Sequence, residues 1–382
     1  MPLCPTPPPF RLRVLHVVDS LEVGGLERVT TDLAKTQHAL GHEVTVFSIQ
    51  STHGLKPELM DAGITVIEGH KSGTLDRRVL LALRRTIQER DIDVVHTHNF
   101  VPNYHAAIAM LGMWRKPPQV CTCHDMGTRL SNRKLRWLFQ WSLRHTAHVA
   151  MVGQQVHDRY VGSGMVRAAR ATTVLNGIPV DRFTGSQARR TQARQALGLP
   201  ADALLIGAVG RQVPLKNHHR LVAVLPALRA KYPAVKLVLI GDGECAQALQ
   251  DQVHASGLGD TVLLTGARSN VADLLPAFDV FALPSQTEGL SIALLEACAT
   301  GLAVVASRVG GNPEIIQDGQ TGLLIPPDDN PSLHGALDRL LGEPELRQRL
   351  GSAAREWVRE HASVDALQES YSRCYSLARQ RA

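Results

Sequence analysis

Three patterns are missing from this chain of 382 residues, and each absence removes a class of function. The six cysteines, at positions 4, 121, 123, 245, 298 and 374, contain no C-x-x-C pair. Cys121 and Cys123 are separated by one residue, which is neither a zinc nor a redox spacing, so free and mostly buried thiols in a reducing compartment are the expectation. Long apolar runs are missing as well: the longest uncharged stretches, such as 297–307, fall short of the roughly 18 residues a membrane-spanning helix needs. No apolar segment of signal-peptide type precedes the first strand, residues 1–10 read as a disordered, proline-rich leader, and the expected location is cytoplasmic. The third absence is G-x-G-x-x-G at the end of the first strand. The glycines come only at Gly24 and Gly25, after DSLEV, which argues against an NAD-dependent oxidoreductase.

What is present is alternation. Apolar runs over 12–18, 43–47, 64–67, 93–96, 119–123, 148–152 and 172–175 read as strands, separated by helical stretches that include 25–40, 75–90 and 130–145. A connector, NGIPVDRFTGSQARR from Asn176, follows with glycine and proline punctuation. The rhythm then restarts, with strands over 204–209, 236–240, 261–264, 280–283 and 303–306 and helices near 217–231, 243–256, 269–277 and 290–300. Gly301 stands where a helix C-cap is expected. Such a pattern predicts two doubly wound α/β domains, over 1–175 and 176–360, with a ligand cleft between them. The closing stretch 361–382 reads as a helix packing back on the N-terminal domain. Net charge is +7 over residues 1–175 and −1 over the remainder, an asymmetry that suits either an anionic partner or an ordinary solvated surface.

The second half carries the chemistry. After the strand 280–283 come SQTEG and a helix beginning near Leu290 or Ser291, at the sheet edge where open α/β folds bind ligands. Free N–H groups at a helix start suit a phosphate. Glu288 and Glu296 flank that start, and eight residues of helix would separate them by about 12 Å. Two carboxylates so placed can accept hydrogen bonds from hydroxyls at the two ends of a nucleotide diphosphate sugar. Upstream, the strand ending at Val209 runs into GRQVPLKN, whose Arg211 and Lys216 could hold a diphosphate and stabilise it as a leaving group. GDGE at 241–244, the pair Gly310 and Gly311, and DGQTG at 318–322 read as turn and loop geometry.

Taken in order, GRQVPLKN, GDGE, LPSQTEGLSIALLEA, ATGLAVVASRVGGNPE and DGQTGLLIPPDD resemble the nucleotide-sugar glycosyltransferases of the retaining GT-B type, the large family four of group 1. EVGGLERV, VVHTHN, TCHD and VLNGIPVDRF extend the resemblance over nearly the whole chain. It implies two Rossmann-like domains, the second binding a donor, a UDP- or GDP-sugar, and the first an acceptor, a glycan or lipid-linked glycan of cell-surface polysaccharide synthesis. The family's roles place Glu288 on the donor sugar, Glu296 on the ribose, and Arg211 and Lys216 on the diphosphate. Gly289, Leu290 and Ser291 would line the donor site, Gly24 and Gly25 would lie against the phosphates, and His124 would face the reacting sugar. Neither a cofactor nor a metal is implied, and no nucleic acid partner. Ala303, Arg308 and Asn312 depart from the family pattern in loops that bear on donor-sugar choice.

Other readings stay open at this level. A nucleotide-sugar epimerase would use similar phosphate contacts, and a non-catalytic nucleotide-sugar sensor would keep the same fold. Asp91 and Asp93 have a D-x-D spacing but precede an apolar run, so they read as a strand entry and not as metal ligands. His96 and His98 are expected to pack in the cleft. The segment 129–148 combines Arg129, Arg133, Lys134, Arg136 and Arg144 with Leu130, Trp137, Phe139 and Trp141, which fits either a helix on an anionic inner-leaflet surface or one packed into the first domain. The helix over 75–90 adds a second basic face.

Overall fold

The computed structural model describes residues 11–22, 24–124 and 132–381. They divide into two compact units, one formed by the chain up to Gly177 together with the segment from Val364, the other by Ile178–Ser363.

The first unit holds a parallel sheet of β1 (Arg13–Val18), β2 (Glu43–Ser48), β3 (Thr65–Glu68), β4 (Val94–His98), β5 (Gln119–Cys123), β6 (His148–Met151) and β7 (Ala171–Thr173), in the order β3-β2-β1-β4-β5-β6-β7. Parallel strands need crossover helices, which cover both sheet faces, so their sequences are apolar without alternation. That explains why β4 and β5 are buried at every position although β4 reads VVHTH. The last helix, Val364–Arg379, packs on the helix Gly25–Ala39 and on β5 and β6.

The second unit repeats the plan with β8 (Leu204–Val209), β9 (Val235–Ile240), β10 (Val262–Leu264), β11 (Val280–Leu283), β12 (Ala303–Ser307) and β13 (Leu323–Ile325), in the order β10-β9-β8-β11-β12-β13. The winding direction reverses between β1 and β4 in the first unit and between β8 and β11 in the second. Loops leaving such paired strands diverge to opposite faces of the sheet and leave a crevice at the carboxyl ends. Both β8 and β11 feed segments singled out in the sequence, GRQVPLKN and SQTEG.

Several elements differ from the sequence expectation. The connector read from Asn176 turns helical at Gln187–Ala196, where the Ser186 hydroxyl accepts the Arg189 N–H (3.2 Å). Arg194 of that helix is buried, donating to Asp279 and to the carbonyls of Ala201, Ala203 and Ala277. A buried arginine with so many acceptors is a structural element and not linker decoration. Strand β13 is not among the strands expected from the sequence; three residues between DGQTG and two prolines are too few to show a period. The basic aromatic helix spans Arg133–Arg144, and Arg129 and Leu130 lie outside the described residues. Among the described residues no helix is long and apolar enough to cross a membrane.

Helix Ile292–Thr300 ends at Gly301, whose φ of +84° is the left-handed C-cap expected from the sequence. Helix Pro344–His361 crosses it so closely that a Cβ on Gly351 would stand 2.1 Å from the Gly301 carbonyl oxygen. Gly351→Ala should therefore force these helices apart and cost about 1–3 kcal/mol. A drop in the urea midpoint of unfolding measures it, and an unchanged midpoint would show that the crossing tolerates the methyl group.

Candidate functional site

The second-unit site is built where β8 and β11 part. Beyond Val209 the chain turns through Gly210 to a short 3-10 turn, Pro214–Lys216, and enters the helix His218–Lys231. Beyond Leu283 it runs through Ser285 and Glu288 to Ser291, whose hydroxyl caps the helix Ile292–Thr300 by accepting the Leu294 N–H (3.4 Å). The two loops are joined by the Gln286 N–H donating to the Leu215 carbonyl (2.8 Å).

Side chains then meet. Lys216 Nζ lies 2.6 Å from Glu288 Oε1, and the Ser285 hydroxyl donates to the same oxygen at 2.6 Å. Glu288 is 9% exposed, and its Oε2 has no hydrogen-bond partner among the described residues. A buried carboxylate must be paired; here one oxygen meets that requirement and the other is left open. Lys216, which the resemblance gives to a diphosphate, thus rests on the acid it gives to the sugar. Arg211 is exposed at the start of the same loop and makes no ion pair among the described residues.

The sequence spacing of the two glutamates is corrected by the structure. Only the Ile292–Glu296 part of the interval is helical, so Glu288 lies in the preceding loop and Glu296 is half-buried on the fifth helical residue. The pair does not share one helix, and the rise of about 12 Å expected from eight helical residues does not apply. Gly289 and Leu290 form the bend between Glu288 and the capping Ser291.

A second loop fixes that bend. The Gly311 N–H donates to the Gly289 carbonyl (3.0 Å), and a Cβ on Gly310 would stand 1.8 Å from the Glu288 carbonyl oxygen. Gly310 also has φ +53°, which L side chains rarely adopt. The glycine pair read from sequence as loop geometry is thus the wall behind Glu288. Ser285 was missed altogether; a serine in a polar loop gives no sequence signal. Of the departures from the family pattern, Arg308 pairs with Asp318 (2.7 Å) and Asn312 is buried, its amide donating to the Ser307 carbonyl (2.9 Å).

In the first unit, the chain beyond β1 carries Gly24 in extended conformation (φ −161°) as the N-cap of helix Gly25–Ala39, with Gly25 exposed as its first residue. Asn99, after β4, has φ +66° and accepts the His124 N–H on its side-chain oxygen (2.9 Å). Such strained backbone persists only where its surroundings fix it, and here it holds His124 at the carboxyl end of β5. The protein around His124 pushes its imidazole pKa down to about 4, by desolvation.

His96 and His98 are buried inside the first unit with His16, and one nitrogen from each of the three rings lies within 4.8 Å of the others. Every one of those nitrogens is engaged. His16 meets His98 (3.1 Å) and Gln37 (2.8 Å), His96 meets Tyr375 (2.8 Å) and Thr122 (2.7 Å), and His98 also meets Thr30 (3.2 Å). A metal ion would have to displace these bonds. Asp91 and Asp93 precede β4 and pair with Arg13, at 3.0 and 2.9 Å.

Likeness to solved structures, to family models and to sequence relatives bears on what this arrangement belongs to. HepE from Anabaena, solved in complex with UDP, superposes with a TM-score of 0.85 at 22% identity, covering 96% of this chain and all of that one. A glycosyltransferase from Rickettsia africae superposes at 0.83 with 18% identity, over 98% of this chain and all of the other. The fold is GT-B, two Rossmann-like α/β units. Residues 189–357 match the family described as glycosyl transferases group 1, and residues 23–182 match glycosyltransferase family 4. A D-inositol 3-phosphate glycosyltransferase of Corynebacterium urealyticum is 34% identical over 377 residues, 90% of this chain and 87% of that protein. The chain belongs to the group 1 glycosyltransferases. A GDP-mannose-dependent α-(1-6)-phosphatidylinositol monomannoside mannosyltransferase of Mycolicibacterium smegmatis is 32% identical over 240 residues, 57% of this chain, and the match spans 62% of that relative's length. For the Mycobacterium tuberculosis counterpart the share of its length is 59%.

Two outcomes follow from the geometry. Gly310→Ala should press on the Glu288 backbone and cost about 1–3 kcal/mol of stability; an unchanged urea midpoint of unfolding would show that the wall can give. Burial lowers the imidazole pKa of His16 to about 4 and those of His96 and His98 well below the usual 6.5. Between pH 6.5 and 4 the unfolded chain therefore binds protons that the folded chain does not. Stability is fully present above that window and falls as the pH drops through it, by about 2 kcal/mol at pH 5 for a single imidazole shifted this far. A His16 NMR signal titrating near pH 6.5 contradicts this.

Proposed function

We propose that the protein transfers a sugar from a nucleoside diphosphate sugar to an acceptor hydroxyl with retention of anomeric configuration. The observation that carries this reading is the Lys216–Glu288 pair at the β8–β11 divide, with one glutamate oxygen held and the other open. Arrival of a diphosphate gives Lys216 a more highly charged partner, and Arg211 in the same loop supplies a second cation. Glu288, still held by Ser285, turns its open oxygen to hydroxyls of the donor sugar. Glu296 takes the ribose, and the N–H groups where Gly289, Leu290 and Ser291 lead into the helix Ile292–Thr300 face the phosphates. In the first unit, His124 and the turn at Gly24 and Gly25 are the proposed contributions to the same reaction.

Chemistry then follows from charge. The bond between the anomeric carbon and the diphosphate oxygen breaks, and negative charge grows on that oxygen. Arg211 and Lys216 stabilise this charge more in the transition state than in the ground state, which is the condition for catalysis. The acceptor oxygen forms its bond on the same face of the sugar, and its proton passes to the departing diphosphate oxygen. No covalent sugar–enzyme bond is required.

The curated relatives guide the substrates. One is named for GDP-mannose and a phosphatidylinositol mannoside, another for UDP-galactose and a diphosphoundecaprenol-linked sugar. Both names carry a lipid-bearing acceptor, which supports a lipid-linked acceptor here and a role in cell-surface glycan synthesis; attachment of the protein at the inner face of the cell membrane is the location proposed with them.

A screen of UDP-, GDP- and ADP-sugars for binding, followed by nucleotide release with lipid-linked and soluble glycans, tests the reading. Lys216→Ala and Glu288→Ala should each lower turnover by roughly 100- to 1,000-fold. Full turnover in these variants would overturn the assignment, and a glycosyl adduct trapped on a side chain would overturn the same-face mechanism.

A further inference from the structure

A cavity of about 430 Å³ opens in the first unit, away from the residues assigned above. It lies among the end of helix Arg133–Arg144, the second residue of β6 and the loop that enters β7, so it occupies the sheet edge where strands begin. Asn99 and His124 follow the opposite, carboxyl ends. None of its nine lining residues is acidic, and three are arginines: Arg144, Arg167 and Arg170. Arg170 reaches the Thr146 carbonyl at 3.5 Å, while Arg144 and Arg167 make no side-chain bond or ion pair among the described residues. Three arginines on one cavity with no acidic side chain in its lining offer an anion several donors, and guanidinium geometry matches phosphate.

The rest of this edge says what carries the phosphate. The loop entering β5 exposes Trp114 completely, at 104%, between Met113 and the cations Arg115 and Lys116. Strand β5 pairs with β6 and the Ala147 N–H donates to the Gln119 carbonyl (2.8 Å), so the loop entering β5 is adjacent to the end of the arginine-bearing helix. Trp137, three residues before the cavity-lining Gln140 on that helix, is 65% exposed. A soluble phosphate compound gives no reason to hold two tryptophans in water, whereas a lipid–water boundary favours tryptophan beside cations.

We propose that this amino-terminal edge of the first unit's sheet is a membrane-docking surface, with Arg144, Arg167 and Arg170 binding the phosphate of an anionic phospholipid headgroup and Trp114 resting at the lipid–water boundary. It rests on the reading of a membrane-attached transferase but uses no residue of the donor site.

Flotation of the full chain with vesicles decides it. Vesicles of equal parts phosphatidylglycerol and phosphatidylcholine should bind the protein, and phosphatidylcholine alone should not. The triple variant R144A/R167A/R170A should bind roughly 100-fold less, from a factor of about five per cation near an anionic leaflet. R133A/K134A/R136A removes the same charge from the other end of the same helix and should stay within about 3-fold of the parent. Trp114→Ala should weaken binding several-fold and keep the preference for phosphatidylglycerol. Equal loss in both triples would reduce the site to diffuse charge, and equal binding to both vesicles would remove the phosphate-reading role. Stabilisation by inorganic phosphate without vesicle binding would reassign the cavity to a soluble anion; each result overturns the proposal. UDP and GDP titrations of the same variants report the donor site separately and should match the parent. If the triple variant does not fold, Arg167→Ala, expected to lose about 5-fold, decides in its place.

Discussion

The second unit is organised around one ion pair. Lys216 and Glu288 come from loops 72 positions apart and meet at 2.6 Å because the sheet order sets β8 beside β11. A carboxylate buried like that of Glu288 is sustained only when its charge has a partner. Ser285, the Gly310–Gly311 wall and the Gln286 link to Leu215 all hold the glutamate loop in place. The pair therefore does two things: it satisfies a buried carboxylate in the protein alone, and it stores a cation beside the place where diphosphate charge is expected.

The first unit solves a different problem. Polar residues of its central strands, among them His16, His96, His98 and Thr122, are buried where apolar side chains would be usual. They are reconciled with burial by a chain of hydrogen bonds that takes in Gln37, Tyr371 and Tyr375. Tyr375 also accepts from Gln37 (3.1 Å), so the C-terminal helix is hydrogen-bonded into the sheet and not merely laid over it. Networks of this kind specify one packing arrangement, since any shift leaves a buried polar group unpartnered.

Alternating apolar runs displayed the two sheets in the sequence because long parallel strands are apolar on both faces. Glu288 stood out for a related reason, a charge at the mouth of an uncharged run. Short elements were harder. Leu323–Ile325 has too few residues to show a period, and helix Gln187–Ala196 is strongly polar, so it resembled a connector. Ser285 and Tyr375 gave no local signal, because their roles are set by residues 3 and 279 positions away along the chain. The histidines were visible as VVHTH, but their interior position depends on partners from the far end of the chain. Distance along the helix misled the spacing of Glu288 and Glu296, since a bend occupies half of the interval.

The return of residues 364–379 to the first unit has a consequence for biosynthesis. The ribosome releases β1 through β7 well before it makes Tyr371 and Tyr375, and the whole of the second unit is synthesised in between. Throughout that interval Gln37 and Thr122 lack their phenol partners, and the surface destined for the closing helix stays uncovered. Domains usually fold as they emerge, N-terminal first. Here the leading half is finished last, and a chain ending at Ser363 would carry an intact second sheet and an unsealed first one.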